Sequence, residues 1–243
     1  MSSTASEAQL RRQLSWLRES WSWIMGQMVL STPKRSTALD VGCGPGLVME
    51  LFSPLMDIVG VDIDPAMVRR ARGRGLRAVV GDALQLPFAD RSIDVVYCSF
   101  TLMWVGDAEK AVEEMARVAR RCVVCLAEPD YGGRICHPPE VALMDRPLVD
   151  SLRAQGADPF AGRRLGRCME VAGLKVECGV HSGVWSPSGF LRESEEEWAS
   201  LANDVAGLVD DRTLLEARAA WDRASADGSL FLFNPVFYAI GRR

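Results

Sequence analysis

The chain has 243 residues, 48% hydrophobic and 25% charged, a profile that excludes a disordered protein and fits a globular chain with a real core. Its length allows one large domain, or one domain with a cap, and excludes a tandem array. Twenty-eight basic residues against 32 acidic ones leave a net charge of −4, and only three of the basic residues are lysine, which argues against a polybasic binder of nucleic acid or membrane.

Seven cysteines, at 43, 98, 122, 125, 136, 168 and 178, do not have the layout of a disulfide framework and point to a reducing interior. Met1 to Gln9 is polar and lacks a signal pattern, and no apolar run approaches the ~18 residues of a membrane helix. A soluble, cytoplasmic protein is expected. Seven tryptophans accompany only three tyrosines and eight phenylalanines, so their placement carries information.

In chain order, Leu10, Leu14, Leu17, Trp21, Ile24 or Met25, and Met28 recur at helical spacing and predict a first helix from Ala8 to Leu30. Trp16 and Trp23 form a second stripe beside that one. From Thr37 strands and helices alternate: strand Ala38–Val41, helix Leu47–Leu55, strand Ile58–Asp62 and a helix opened by Pro65. Then follow strand Arg77–Val80, strand Ile93–Tyr97, a helix capped by Asp107, and strand Cys122–Ala127. Alternation of this kind predicts a parallel sheet covered by helices on both faces. Cys122 and Cys125 fall on opposite faces of an extended strand and cannot share a metal there.

The second half is less regular. Helices are predicted over Pro138–Gln155 and Arg163–Ala172, a sixth strand over Leu174–Val184, a capping box at Ser194–Glu197, a helix over Thr213–Ala226 and a last strand over Val236–Ile240. This divides the chain into a helical cap segment (1–36), a core (37–185), a helical cap insertion (186–229) and a closing strand (230–243).

Chemistry concentrates in Asp40-Val-Gly-Cys-Gly-Pro-Gly46, a glycine-rich turn between a strand and a helix. Glycine admits a ligand to the backbone, and the helix start that follows offers free N–H groups. Asp62 stands twenty residues beyond Gly42, the spacing of a ribose-binding acid in dinucleotide folds. The dinucleotide pattern itself fails, because position 47 is Leu, and Asp40 would put negative charge beside a pyrophosphate. A ligand with positive charge and no phosphate suits the turn better.

Leu39–Gly46 resembles the first motif of the class I S-adenosylmethionine-dependent methyltransferases, and Val61-Asp-Ile-Asp-Pro65 resembles their ribose-binding strand end. Gly81–Phe88 is similar to their adenine-contacting segment, and Ser92–Cys98 to their fourth strand. The resemblance implies a doubly wound, Rossmann-like, seven-stranded α/β sheet, mostly parallel with an antiparallel last strand, plus a helical cap. It implies S-adenosyl-L-methionine as cofactor and S-adenosyl-L-homocysteine as its product. Asp40, Gly42, Cys43, Gly44 and Gly46 would lie at the methionine part, Asp62 at the ribose, and Ile63 and Met67 against the adenine. Asp82 and Ala83 would take the adenine edge, and Cys98 would border the sulfonium. The usual Pro-Gly-Gly turn before strand five is replaced by Arg120-Arg121.

Candidate bases or acceptor ligands follow strand five: Asp130, Tyr131 and His137, with Tyr131 and His137 as the catalytic candidates. The stretch Cys98–Trp104 contains no acid, which argues against a metal site. Trp16, Trp23 and Trp104 are expected to line an acceptor pocket for a small, apolar or aromatic metabolite. A protein or RNA methyltransferase, and a cofactor-binding regulator without turnover, are the alternative expectations.

Overall fold

The computed structural model describes residues 7–29, 35–181 and 193–243. Helix α1 (Glu7–Val29) precedes an alternating series: β1 (Thr37–Val41), α2 (Leu47–Phe52), β2 (Asp57–Asp62), α3 (Pro65–Gly73), β3 (Arg77–Val80), β4 (Ile93–Cys98), α4 (Ala108–Val118) and β5 (Ala119–Pro129). Beyond it lie β6 (Ile135–His137), α5 (Pro139–Ala142), α6 (Asp145–Ala154), α7 (Ala161–Val171) and β7 (Lys175–Val180). Helices α8 (Ser194–Asp204) and α9 (Asp211–Asp227) and strands β8 (Phe231–Phe233) and β9 (Val236–Arg242) complete it.

Seven strands form one sheet in the order β3-β2-β1-β4-β5-β9-β7. Strands β1 to β5 pair in parallel, and β9 runs antiparallel to both β5 and β7. The chain steps outward one way through β2 and β3, then returns past β1 to β4 and β5. That reversal opens a crevice between the carboxyl ends of β1 and β4.

Strand alternation sorts the core into two layers. Ala38, Val95, Tyr97, Cys122, Val124 and Leu126 pack with α1, α2 and α3 on one face. Leu39, Val41, Val96, Cys98, Val123 and Cys125 pack with α4 and α7 on the other. Cys122 and Cys125 do take opposite faces: the first meets Met28 of α1, the second Cys98. On α1 the stripe Leu17, Trp21, Ile24, Met25 and Met28 is buried, as its spacing predicts.

A third apolar cluster departs from the sequence expectation. It joins Val141, Met144, Leu148 and Leu152 to Trp198, Leu201, Trp221 and Leu230, so the cap draws on residues after strand five as well as on the late helices. Trp198 and Trp221 meet edge to face at 5.3 Å within it. A two-stranded ribbon of β6 and β8 borders the same cluster; each strand has three residues, too short to show a period. The capping box at Ser194–Glu197 does not form. Ser194 starts α8, and Glu197 turns instead to Arg12 of α1 at 3.2 Å. Trp185 lies outside the described residues.

Candidate functional site

The turn after β1 sits at the crevice. Gly42 and Cys43 both donate backbone N–H to the Val61 carbonyl, at 2.8 and 3.0 Å. Gly44 N–H donates to Asp62 Oδ2 at 2.8 Å, and Asp64 N–H to Asp62 Oδ1 at 2.9 Å. Asp62 therefore ties the glycine turn to the end of β2 through both oxygens. Gly42 has φ +72°, and a Cβ there would run into the side chain of Thr101, so glycine is what lets the segment after β4 close on the turn. Gly44, at φ +51°, faces open space where a Cβ would meet nothing within 4 Å. Gly46 caps α2 in a left-handed conformation and packs on Leu76 and Ala71; its role is to fit the helix against α3.

Around this turn lies a cleft of about 270 Å³. From the sheet end it is walled by Asp40, Gly42, Cys43, Gly44, Asp62, Ile63 and Met67, and from the other side by Ser99, Phe100 and Trp104. Helix α1 roofs it with Leu10, Gln13, Leu14 and Trp21. Asp40 is 2% exposed, and its Oδ2 has no hydrogen-bond partner among the described residues. Burial pushes its carboxyl well up, a neighbouring Tyr97 hydroxyl opposes that push, and the charge of Asp62 adds to it. Burial likewise raises the Cys43 thiol, with Asp40 and Asp62 adding to the effect, so it stays a neutral wall of the cleft.

The segment from Ser99 to Trp104 is held by a residue that the sequence reading passed over. Glu128, fully buried at the end of β5, accepts from the backbone N–H of Leu102 at 2.7 Å and Thr101 at 2.8 Å on one oxygen. Its other oxygen accepts from Met103 N–H at 3.1 Å. Phe100 N–H donates to the Ala127 carbonyl at 2.7 Å, and Phe100 itself adopts φ +50°. A phenylalanine in the left-handed region costs about 1–3 kcal/mol and persists only where its surroundings over-determine it. Here the clamp presents Phe100 to the cleft and to Trp21, ring centroids 6.3 Å apart. A lone Glu at a strand end carries no motif, which is why spacing did not single it out.

Several expected site residues sit elsewhere. Cys98 is fully buried on the opposite face of the sheet, its thiol 3.6 Å from Cys125; one residue of strand parity separates it from the cleft, and Ser99 and Phe100 border the opening instead. Trp16 and Trp23, 49% and 56% exposed, do not line the cleft, and the Trp16 indole N–H donates to Glu193 at 2.8 Å. Trp21, in the buried stripe between them, takes the place expected of them. Trp104 does border the cleft.

Asp130 is buried with both oxygens engaged by Arg163 and one also by Gly132 N–H, so it forms a structural ion pair. Tyr131 packs in the cap cluster, where burial pushes its phenol up to about 12, far from a base at neutral pH. His137 is exposed on β6 opposite Phe231. None of these three lines the cleft. Asp82 and Ala83 also lie outside its enclosed part; Asp82 is exposed and accepts from Leu84 N–H at 2.8 Å.

The roof is tied down by polar contacts. Arg12 pairs with Glu196 at 2.6 Å and Glu197 at 3.2 Å of α8. The Ser20 hydroxyl meets His181 Nδ1 at 2.6 Å, and His181 Nε2 meets the Leu126 carbonyl at 2.6 Å. A carbonyl only accepts, so Nε2 carries the proton and Nδ1 accepts from Ser20. His181 is thus a strut between α1 and β5.

A seven-stranded sheet of this order, with a glycine turn and an acid-walled cleft at its reversal point, defines the class I S-adenosylmethionine-dependent methyltransferase fold. Residues 39–126 match the family model described as "Methyltransferase domain". The chain is 38% identical over 138 residues to a demethylmenaquinone methyltransferase of Roseiflexus sp. (strain RS-1), covering 53% of this chain and 58% of the relative. To a malonyl-[acyl-carrier protein] O-methyltransferase of Herminiimonas arsenicoxydans it is 36% identical over 114 residues, 46% of this chain and 39% of the relative. The chain thus spans under two thirds of these relatives' length. The fold matches a putative methyltransferase from an antibiotic biosynthesis pathway of Anabaena variabilis with a TM-score of 0.66, 16% identity, and 92% and 96% of the two chains covered. No helix among the described residues is long and apolar enough to cross a membrane.

The residues present fit the cofactor implied by this fold. A buried carboxylate oxygen without a partner, at the wall of a cleft whose glycine face is open, suits a ligand that brings an ammonium.

Proposed function

We propose that the protein transfers the methyl group of S-adenosyl-L-methionine to a small, apolar or aromatic metabolite. The observation that carries this reading is the unpartnered, buried Asp40 carboxylate lining the cleft. Bound there, the cofactor supplies a methyl carbon already activated by its sulfonium. Asp40 receives the ammonium, the open backbone at Gly44 accepts the methionine part, and Asp62 keeps lone pairs free for the ribose hydroxyls. Ile63 and Met67 flank the adenine, with Asp82 and Ala83 at its edge.

On the acceptor side this chain offers shape and apolar surface. Trp104, Phe100, Trp21, Leu10 and Leu14 exclude water, and Gln13 contributes a polar group from α1. Holding an acceptor in line with the methyl carbon supplies roughly 7–11 kcal/mol without any base. The helix roof and the net charge of −4 favour a small molecule over a nucleic acid, and the unlike acceptors named for the relatives leave the choice to these walls.

Two measurements test this. Calorimetry should detect S-adenosyl-L-homocysteine binding to the purified protein, lost in Asp40→Ala. Methyl-labelled cofactor should then deliver label to a small product in a metabolite extract. Label in macromolecules alone would overturn the acceptor class. Binding with no transfer from extracts of several growth conditions would favour a regulator that only binds the cofactor.

A further inference from the structure

Beneath the cleft lies a second buried polar group, the Tyr97 hydroxyl. Tyr97 on β4 is the register partner of Asp40 on β1. Leu39 and Val41 face the α4 layer, so Asp40 faces the α1 layer, where Tyr97 also packs. The Tyr97 ring stands edge-on to Phe52 at 6.1 Å. Its hydroxyl, like Asp40 Oδ2, makes no well-formed hydrogen bond among the described residues. An unpaired buried hydroxyl costs about 1–3 kcal/mol, so phenylalanine would serve better here if packing were the whole requirement. The two groups do act on each other. The phenol opposes the upward push of burial on Asp40, and the Asp40 charge adds to burial in keeping the Tyr97 proton in place.

The other groups that face Asp40 do not help to keep it charged. Asp62 at the end of β2 repels it, and the thiols of Cys43 and Cys98 feel its charge as neutral groups. Asp64 and Arg70 also line the cleft. None of them donates a hydrogen bond to Asp40 Oδ2.

We propose that Tyr97 is a positioning residue for the cofactor: its hydroxyl supports the Asp40 carboxylate from below and keeps it charged and aimed into the cleft. This rests on reading the cleft as the S-adenosylmethionine site. Tyr97 is not part of the cleft wall, and it acts through Asp40. With the phenol in place, Asp40 presents a full negative charge to an arriving ammonium. Without it, burial favours the protonated, neutral acid and the ammonium loses its partner. The charged form of Asp40 is lost as pH falls through its raised value, so removing the phenol moves that loss to higher pH.

The test compares two ligands by calorimetry from pH 8 to 5.5: S-adenosyl-L-homocysteine, and 5′-methylthioadenosine, which has the same nucleoside and thioether but no ammonium or carboxylate. Tyr97→Phe keeps the ring against Phe52. It should weaken S-adenosyl-L-homocysteine about tenfold at neutral pH and methylthioadenosine by less than about twofold. The pH at which the first ligand loses its advantage should rise. On an Asp40→Asn background the same substitution should add nothing, because the effect runs through that carboxylate. Equal weakening of both ligands, no weakening of either, or an undiminished effect beside Asp40→Asn would each overturn the proposal. A wild-type protein that binds neither ligand overturns the cofactor reading itself. One that binds both equally overturns only the part given to Asp40 and Tyr97.

Discussion

Glu128 makes the sharpest thermodynamic prediction. Burial lifts its carboxyl from 4.5 to about 7, the amides of Leu102, Thr101 and Met103 pull it back, and the charge of Asp158 adds a little. Between those two pH values the folded protein holds a proton that the unfolded chain has released. Stability therefore falls as pH rises through this window. A carboxyl held near 7 rather than 4.5 corresponds to about 3 kcal/mol, at ~1.4 kcal/mol per pH unit. Glu128→Gln cannot titrate. Its carbonyl can still accept from Thr101 and Leu102, but its NH₂ group faces the Met103 amide, a mismatch of about 1–3 kcal/mol. Urea unfolding of both proteins at pH 5, 6, 7 and 8 should show wild type ahead at pH 5, with the gap narrowing by about 3 kcal/mol toward pH 8. A gap that stays constant would refute the reasoning, since the carboxylate would then already be ionised at pH 5. A gap that widens with pH would mean that the amide bonds outweigh burial.

Gly42→Ala combines φ +72° with a Cβ driven into Thr101; a loss of about 1–3 kcal/mol in urea unfolding is expected, and an unchanged midpoint would contradict the close packing of turn and loop. Burial lowers His181, and the Leu126 carbonyl opposes this. Its contribution to stability is present above the unfolded value near 6.5 and is lost as pH falls below it. His181→Gln should flatten the slope of stability between pH 7 and 5.5, and an identical slope would show that the strut does not titrate. Trp104→Ala should lower kcat/KM for the acceptor about tenfold, the scale of losing an aromatic contact at a binding surface, and leave S-adenosyl-L-homocysteine affinity nearly unchanged. Trp16→Ala and Trp23→Ala should leave both constants unchanged; a loss of turnover in either would return them to the acceptor wall.

Much of the fold was legible because its signals are local. The glycine turn, Asp62 and Pro65 each mark a strand end or a helix start through their own backbone chemistry. The face of α1 was also legible: Leu10, Leu14, Leu17 and Trp21 share one stripe, and that stripe is what meets the sheet and the cleft. The error lay in giving Trp16 and Trp23 a ligand to cover merely because they were large. On a helix whose apolar stripe is already complete, a ring on another face meets only what tertiary structure happens to bring there, and for Trp16 that is Glu193. Cys98 failed for a different reason. Placing a strand correctly leaves its parity open, and a slip of one residue exchanges a cleft wall for the opposite core layer. Glu128 and Tyr97 were illegible in a third way. Each is an ordinary residue whose consequence comes from a partner far along the chain, the Thr101–Met103 amides for one and Asp40 for the other. The glycine-turn side of the cleft is written in short motifs because backbone turns build it. The opposite wall of the cleft is assembled from α1 and the segment after β4, which a carboxylate on β5 clamps, and only the folded sheet brings these together.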